Sequence, residues 1–311
     1  MTAAEWGAPA FALAVIAVFG LSIRAWSDLL APALAARVLV TCSAVITVAC
    51  LLVLATAAAP LLGRSDGLAD GWWSEEVFTR ESALALTLRS AAVLALVVGL
   101  VRAWTQLRAQ RRTVRLARSF RRRVEPAAGG VIVVPTDEPD ALAVNGDFVL
   151  VTRGMLRCLS AGQRRAVLAH EQAHIHHRHH RYTRAAALLA AVNPLLRRLP
   201  AAVAYLTERW ADEDAARVTS RAAVASALER AALLRGPSAH TADPSVALAA
   251  ALVAVEERIR VLRVQPVRRR PRGLVPPVVL AMTASAVAVL MAERTMDLFQ
   301  LAVVLRGAAG K

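Results

Sequence analysis

The residue pattern predicts a mainly α membrane protein: four transmembrane helices, with a cytosolic α+β zinc-binding domain between the third and the fourth. Three observations carry that prediction. Hydrophobic residues make up 57% of the 311-residue chain while its formal net charge is +15, a combination that a soluble domain seldom tolerates unless the two are segregated. They are segregated, because the apolar residues gather in four blocks long enough for a hydrocarbon core and arginines crowd beside the block ends. The third observation is His170-Glu171-Gln172-Ala173-His174, an H-E-x-x-H signature whose two histidines, one helical turn apart, can grip one zinc ion.

The first apolar block, Pro9 to about Ile23, is preceded by Glu5 and followed by Arg24, Trp26 and Asp28. It lacks the basic start and small-residue cleavage site of a signal peptide, so it reads as a retained span over about 9–25. Further spans follow at about 38–62 and 83–104. The loop between them is acidic (Asp66, Asp70, Glu75, Glu76, Glu81), whereas Arg102, Arg108, Arg111, Arg112, Arg115, Arg118 and Arg121 to Arg123 crowd the exit of the third span. By the positive-inside rule that exit is cytosolic and the amino terminus is outside. Trp72 and Trp73 read as interfacial anchors on the outer side. The expected division is 1–106 for three spans, 107–272 for a cytosolic metalloprotease-type zinc domain, and 273–311 for a fourth span and short tail.

No breaker interrupts Thr105 to Arg123, which can extend the third helix until Pro126 and Gly129-Gly130 end it. Val131 to Val134 reads as a strand, and Asn145-Gly146 as a turn before a second strand at Phe148 to Thr152. Phe148, Val149, Leu150 and Val151, just upstream of the histidine helix, are expected to hold an extended peptide by backbone pairing; a plain core hairpin is the competing reading.

Ser160 to Gln163 forms a capping box that starts the helix. Val167, His170, Glu171 and His174 then fall at i, i+3, i+4 and i+7, on one face. Zinc in a peptidase needs a third protein ligand and one position open to water. Glu208 is the expected ligand, because Asp212 lies one turn further on and can hydrogen-bond a ligand histidine and fix its tautomer. His177, roughly 10 Å from His170 along a straight helix, is out of reach of the same ion. One Zn2+ per chain is expected, with Glu171 as catalytic acid/base. His176, His177, His179 and His180 read as a solvated basic helix end, with a second metal as the alternative.

Ala185 to Ala191 and Ala201 to Leu206 are apolar but too short to span, so a bent helical hairpin dipping into the cytosolic membrane face, or packing on the third span, is expected. Helices continue to about Ala232, break at Gly236-Pro237 and resume from about Asp243 to Val264. Arg268 to Arg270 and Arg272 precede a fourth apolar block, Leu274 to Met291, and the tail from Met296 reads as a separate amphipathic stretch.

Cys42, Cys50 and Cys158 form no disulfide framework or Cys-x-x-Cys site and read as buried small residues. No base-reading motif accompanies the positive charge, so the expected partners are the lipid bilayer and a protein or peptide substrate, not nucleic acid. Nothing in the sequence points to an oligomer or against one.

With those pieces placed, the chain resembles the membrane-embedded gluzincin metallopeptidases of the beta-lactam sensor-transducer (BlaR) type. The resemblance rests on Leu168 to His174, Asn193-Pro194-Leu195, Glu208-Arg209-Trp210-Ala211-Asp212, and the order of three spans, zinc domain and fourth span. It implies His170, His174 and Glu208 as zinc ligands, Glu171 as catalytic acid/base, and a multi-pass membrane endopeptidase, with regulatory proteolysis as its setting. The sensor proteins carry an extracellular ligand-binding domain after the fourth span, and the expectation here is a short form without one. Membrane proteases of the heat-shock and CAAX-prenyl type share H-E-x-x-H with a downstream Glu and offer a quality-control alternative. A different class of reading is a signal transducer with a structural zinc domain.

Overall fold

The computed structural model describes residues 7–27, 29–62, 83–121, 130–144, 148–234, 244–264 and 271–309. The acidic loop with Trp72 and Trp73, Arg122 and Arg123, Pro126, the Asn145-Gly146 turn, the Gly236-Pro237 break and Arg268 to Arg270 lie outside these residues. In chain order the elements are α1 (Gly7–Ser27), α2 (Pro32–Leu62), α3 (Ala83–Arg121), β1 (Val131–Val134), β2 (Ala141–Val144), β3 (Phe148–Thr152) and α4 (Arg153–Cys158). They continue with α5 (Ala161–His176), α6 (His179–Val192), a 3-10 turn (Pro194–Leu196), α7 (Leu199–Val218), α8 (Arg221–Leu234), α9 (Pro244–Arg263), a second 3-10 turn (Pro271–Leu274) and α10 (Val275–Ala309).

Helices α1, α2, α3 and α10 are each long and apolar enough to cross a membrane, and they suggest a membrane protein. Helix is the structure such sequence adopts where no water can satisfy the backbone. Helices α1, α2 and α10 pack on one another, and α3 packs on α2. The arginine-rich stretch extends α3 unbroken to Arg121, as its lack of a breaker predicts. One boundary differs from expectation: α10 passes through Met296 to Ala309, because neither glycine nor proline occurs between Val278 and Arg306.

The sheet has the order β1-β3-β2, with β3 parallel to β1 and antiparallel to β2. This corrects the peptide-pairing role expected for Phe148, Val149, Leu150 and Val151. Both edges of β3 are already taken, Val149 lying opposite Val131 on one side and Ala143 on the other, so no backbone groups remain there for a substrate strand. β2 itself, half alanine, carries no strand signal in the sequence.

The expected helical hairpin is present as α6, the turn and α7. Helix α6 packs on α2 and α3, and α7 on α2 and α1. Its tip meets α1 at Gly20, where an added Cβ would lie 2.1 Å from the Leu195 carbonyl oxygen. Only glycine allows that approach. Gly20 stands seven residues before Ser27, so the tip reaches roughly 10 Å along α1 from its end. From there α7 emerges with Leu199, Val203, Leu206, Ala211 and Ala215 buried. Arg221 at the start of α8 ties the next elements down: Nη2 donates to both Glu213 carboxylate oxygens (2.7 and 2.6 Å), and Nη1 to the carbonyls of Val261, Leu262 and Val264 at the end of α9 (3.2–3.3 Å).

Candidate metal centre

The histidine helix starts as its capping box requires. The Gln163 amide N–H donates to Ser160 Oγ (3.3 Å), and Gln163 Oε1 accepts from the Ser160 N–H (2.9 Å). Ala166 and Ala173 bury one face of α5, which packs against α7 and the sheet. Across that contact, two pairs of residues each one turn apart meet: His170 and His174 on α5, Glu208 and Asp212 on α7.

The three groups expected to hold an ion face one another. His170 Nε2 and His174 Nε2 are 3.2 Å apart, His170 Nε2 is 3.4 Å from Glu208 Oε2, and His174 Nε2 is 3.4 Å from Glu208 Oε1. Bonds of about 2.0–2.1 Å in a tetrahedral zinc site imply ligand–ligand edges of roughly 3.3 Å. The His/His/Glu triangle therefore fits such an ion in size as well as in donor chemistry, and it is the one group among the described residues able to hold a metal.

Asp212, only 2% exposed, accepts from His170 Nδ1 (3.0 Å), which turns Nε2 of that ring toward the shared point. Glu171 lines the same cleft. His177 points elsewhere and pairs with Asp214.

Two residues enter that the sequence reading did not assign. Arg258 of α9 clamps the centre: its Nε and Nη2 donate to the two Asp212 oxygens (both 2.7 Å), and its Nη1 lies 3.0 Å from Glu208 Oε2. The sequence signal was faint, an arginine sharing a helix face with Val255, Ile259 and Leu262. His179 is the other. It was expected on a solvated helix end but is 1% exposed, because the chain breaks at Arg178 (φ 53°) and α6 turns back over the site. His179 Nδ1 lies 3.0 Å from His174 Nδ1, and with His174 Nε2 turned to the triangle the bonding pattern assigns the proton to His174. Rings of His177 and His179 pack on Trp210, at 4.4 and 4.7 Å between centroids, and Arg37 of α2 lies over the same indole at 4.9 Å.

The electrostatics follow from this packing. Burial, helped by the neighbouring His170 and Arg258 charges, depresses His174 to about 4, and burial with its histidine neighbours depresses His179 to about 3, so both rings are neutral. Burial also opposes charge on His170, but the Asp212 and Glu208 carboxylates outweigh it and raise that ring to about 10. Glu208 and Asp212 stay ionised against burial because His170 and Arg258 hold them well below the usual carboxylate range. The two carboxylates thus favour positive charge on His170 as well as on Arg258, at the edge of the triangle where a cation would sit.

A cleft of about 560 Å3 opens over the triangle. One wall is β2, with Ala141, Leu142 and Ala143; the other is apolar, with Val224 and Leu228 of α8 and Val255 of α9.

A helix-borne histidine pair closed by a glutamate from a second helix, beneath a peptide-sized cleft, is the arrangement of a metal-dependent hydrolase. Residues 103–242, which carry His170, Glu171, His174, Glu208 and Asp212, match the family model described as Peptidase family M48. That match indicates a metallopeptidase acting on protein substrates. No curated protein and no solved structure matches the chain.

Proposed function

We propose that this protein is a membrane-embedded zinc endopeptidase that cuts a protein substrate at the cytosolic face. The observation that carries the reading is the 3.2–3.4 Å triangle of His170, His174 and Glu208 beside Glu171, inside the peptidase-matching segment. His170, His174 and Glu208 hold one zinc per chain. Bound there, zinc lowers the pKa of a water toward neutrality and polarises the scissile carbonyl. Glu171 takes the proton from the attacking water and delivers it to the leaving nitrogen. Asp212 and Arg258 keep His170 and Glu208 aimed at the shared point, and the apolar wall excludes bulk water from it.

Substrate pairing falls to the edge of β2 that no other strand covers among the described residues. Thr152 N–H donates to the Asp140 carbonyl (2.9 Å), so Asp140 and Thr152 face each other through hydrogen bonds and, by alternation, Ala143 turns its N–H and C=O away from β3 toward the cleft. An extended peptide adds there as a strand. We assign the centre to the cytosolic side, with the amino terminus outside, on the strength of the arginines at the exit of α3, and 107–272 to the peptidase. Regulatory proteolysis of the BlaR kind is the finer reading, suggested by the order of spans and site.

Replacing Glu171 by Gln tests the assignment. The variant should keep one zinc per chain and lose roughly two to four orders of magnitude of cleavage, the share a positioned general base supplies. Undiminished cleavage in reconstituted vesicles rejects the peptidase mechanism.

A further inference from the structure

A second cavity of about 320 Å3 runs between α2, α3 and the tip of the helical hairpin. Its wall on α3 extends from Ala91 through Ala95 and Val98 to Arg102. Arg102 lies eleven residues beyond Ala91, a rise of roughly 16 Å, close to half of a hydrocarbon core of roughly 30 Å. The volume lies at the small end of the roughly 300–1,000 Å3 range of ligand pockets, and a helix about 10 Å across does not fit it. One flexible hydrocarbon chain does.

The polar groups stand at one end. Arg102, exposed at the close of the apolar part of α3, lines the mouth, and no ion pair claims it among the described residues. Asn193, 3% exposed, also lines the cavity. Its Oδ1 accepts from the Leu195 N–H (3.1 Å), while its Nδ2 has no hydrogen-bond partner among the described residues. An unpaired amide donor is costly where no water reaches. The neighbouring Val192 carbonyl lies 3.2 Å from where a Cβ on Gly99 would be, so Asn193 sits near the level of Gly99, roughly 5 Å deeper than Arg102 along the helix.

We propose that this groove binds one acyl chain of an anionic phospholipid from the leaflet on the Arg102 side. The phosphate meets the Arg102 guanidinium, the ester carbonyl a few bonds below it accepts from Asn193 Nδ2, and the chain lies along Ala95 toward Ala91. The spacing of a cation, a spare donor and an apolar channel matches phosphate, ester and tail in that order. The inference rests on the membrane reading above and is independent of the peptidase chemistry.

The full chain is reconstituted in phosphatidylcholine vesicles containing a trace of phosphatidylglycerol with a photoreactive acyl chain, or of the matching phosphatidylcholine probe, and labelled residues are mapped by mass spectrometry. The phosphatidylglycerol probe should label Cys50 to Leu54 and Ala91 to Val98 about fivefold more than the neutral probe, the factor one arginine supplies near an anionic lipid. Arg102→Gln should erase that excess. Ala95→Trp, at an exposed position of α3, should fill the groove and remove its labelling while Leu100, 72% exposed on the same helix, stays labelled. Equal labelling by both probes, or groove labelling that survives Ala95→Trp, overturns the proposal. Absence of label from Leu100 as well would mean that α3 does not face lipid, and the membrane reading would fall with it.

Discussion

At the scale of single residues, the centre is a balance between two carboxylates and whichever cation sits between them. Besides Arg258, with no ion bound that cation would be the His170 proton, held at a pKa of about 10 once the carboxylates overcome burial. Zinc must displace it, because a nitrogen cannot carry a proton and a metal together. Binding at neutral pH should therefore release close to one proton from this ring, and affinity should rise by up to tenfold per pH unit until the pH approaches 10. Calorimetry in buffers of different ionisation enthalpy reads the proton directly; pH-independent affinity between 6 and 8 would contradict it. Arg258→Gln should weaken zinc binding by roughly 10–100-fold, the cost of losing an outer-shell partner, and should lower activity only as far as zinc occupancy falls. Glu208 and Asp212 were legible in the sequence because each sits one helical turn from a partner in the same task. Arg258 was not, since its role depends on a third helix arriving from 46 residues beyond Asp212, and no local spacing encodes that. His179 was hidden by a left-handed residue, Arg178, that lacks the glycine by which such breaks are usually read.

At the scale of elements, one short strand builds a wall of the cleft and one glycine seats the helical hairpin. Ala141-Leu142-Ala143-Val144 escaped the sequence reading because alanine is poor in strands, and its pairing with β3 supplies what propensity does not. Ala143→Pro removes the outward N–H while leaving the ladder to β3 intact, so KM should rise about 3–10-fold with unfolding temperature nearly unchanged, as expected for one hydrogen bond. A KM equal to that of the parent chain would place the substrate elsewhere. Gly20, away from the cleft, sets the contact between α1 and the hairpin tip. Glycine to alanine within a helix ordinarily stabilises by up to about 1 kcal/mol, but here the new Cβ would lie 2.1 Å from the Leu195 carbonyl oxygen. The sign should reverse: Gly20→Ala should cost about 1–3 kcal/mol as α1 and the hairpin tip are forced apart, seen as a lower melting temperature in detergent. The four apolar helices and the hairpin were legible from hydropathy and length alone, whereas this contact joins residues 175 positions apart.

At the scale of the molecule, the packing fixes how deep the chemistry lies. The hairpin tip meets α1 roughly 10 Å from that helix's end, and Glu208 follows Leu199 by nine residues, roughly 13 Å back along α7. Trp210, two residues beyond Glu208 on α7, packs under Arg37, itself only five residues into α2. On both counts the His170–His174–Glu208 centre stands level with the ends of α1 and α2, which for helices that cross a bilayer is the headgroup level. A substrate already held at that surface meets the cleft at an effective concentration set by its tether, which reaches the millimolar range for short flexible linkers. The same cleavable sequence should accordingly be cut at least 100-fold faster when anchored by a lipid or a membrane helix than when free, provided that it lies within about ten residues of the anchor; moving it thirty residues away should erode the advantage, since effective concentration falls with tether length. Rates measured in vesicles of one composition, with anchored and free peptides at matched bulk concentration, decide the matter. Equal rates for both would show that the substrate approaches from solution and that the depth of the centre serves only to bury its second helix.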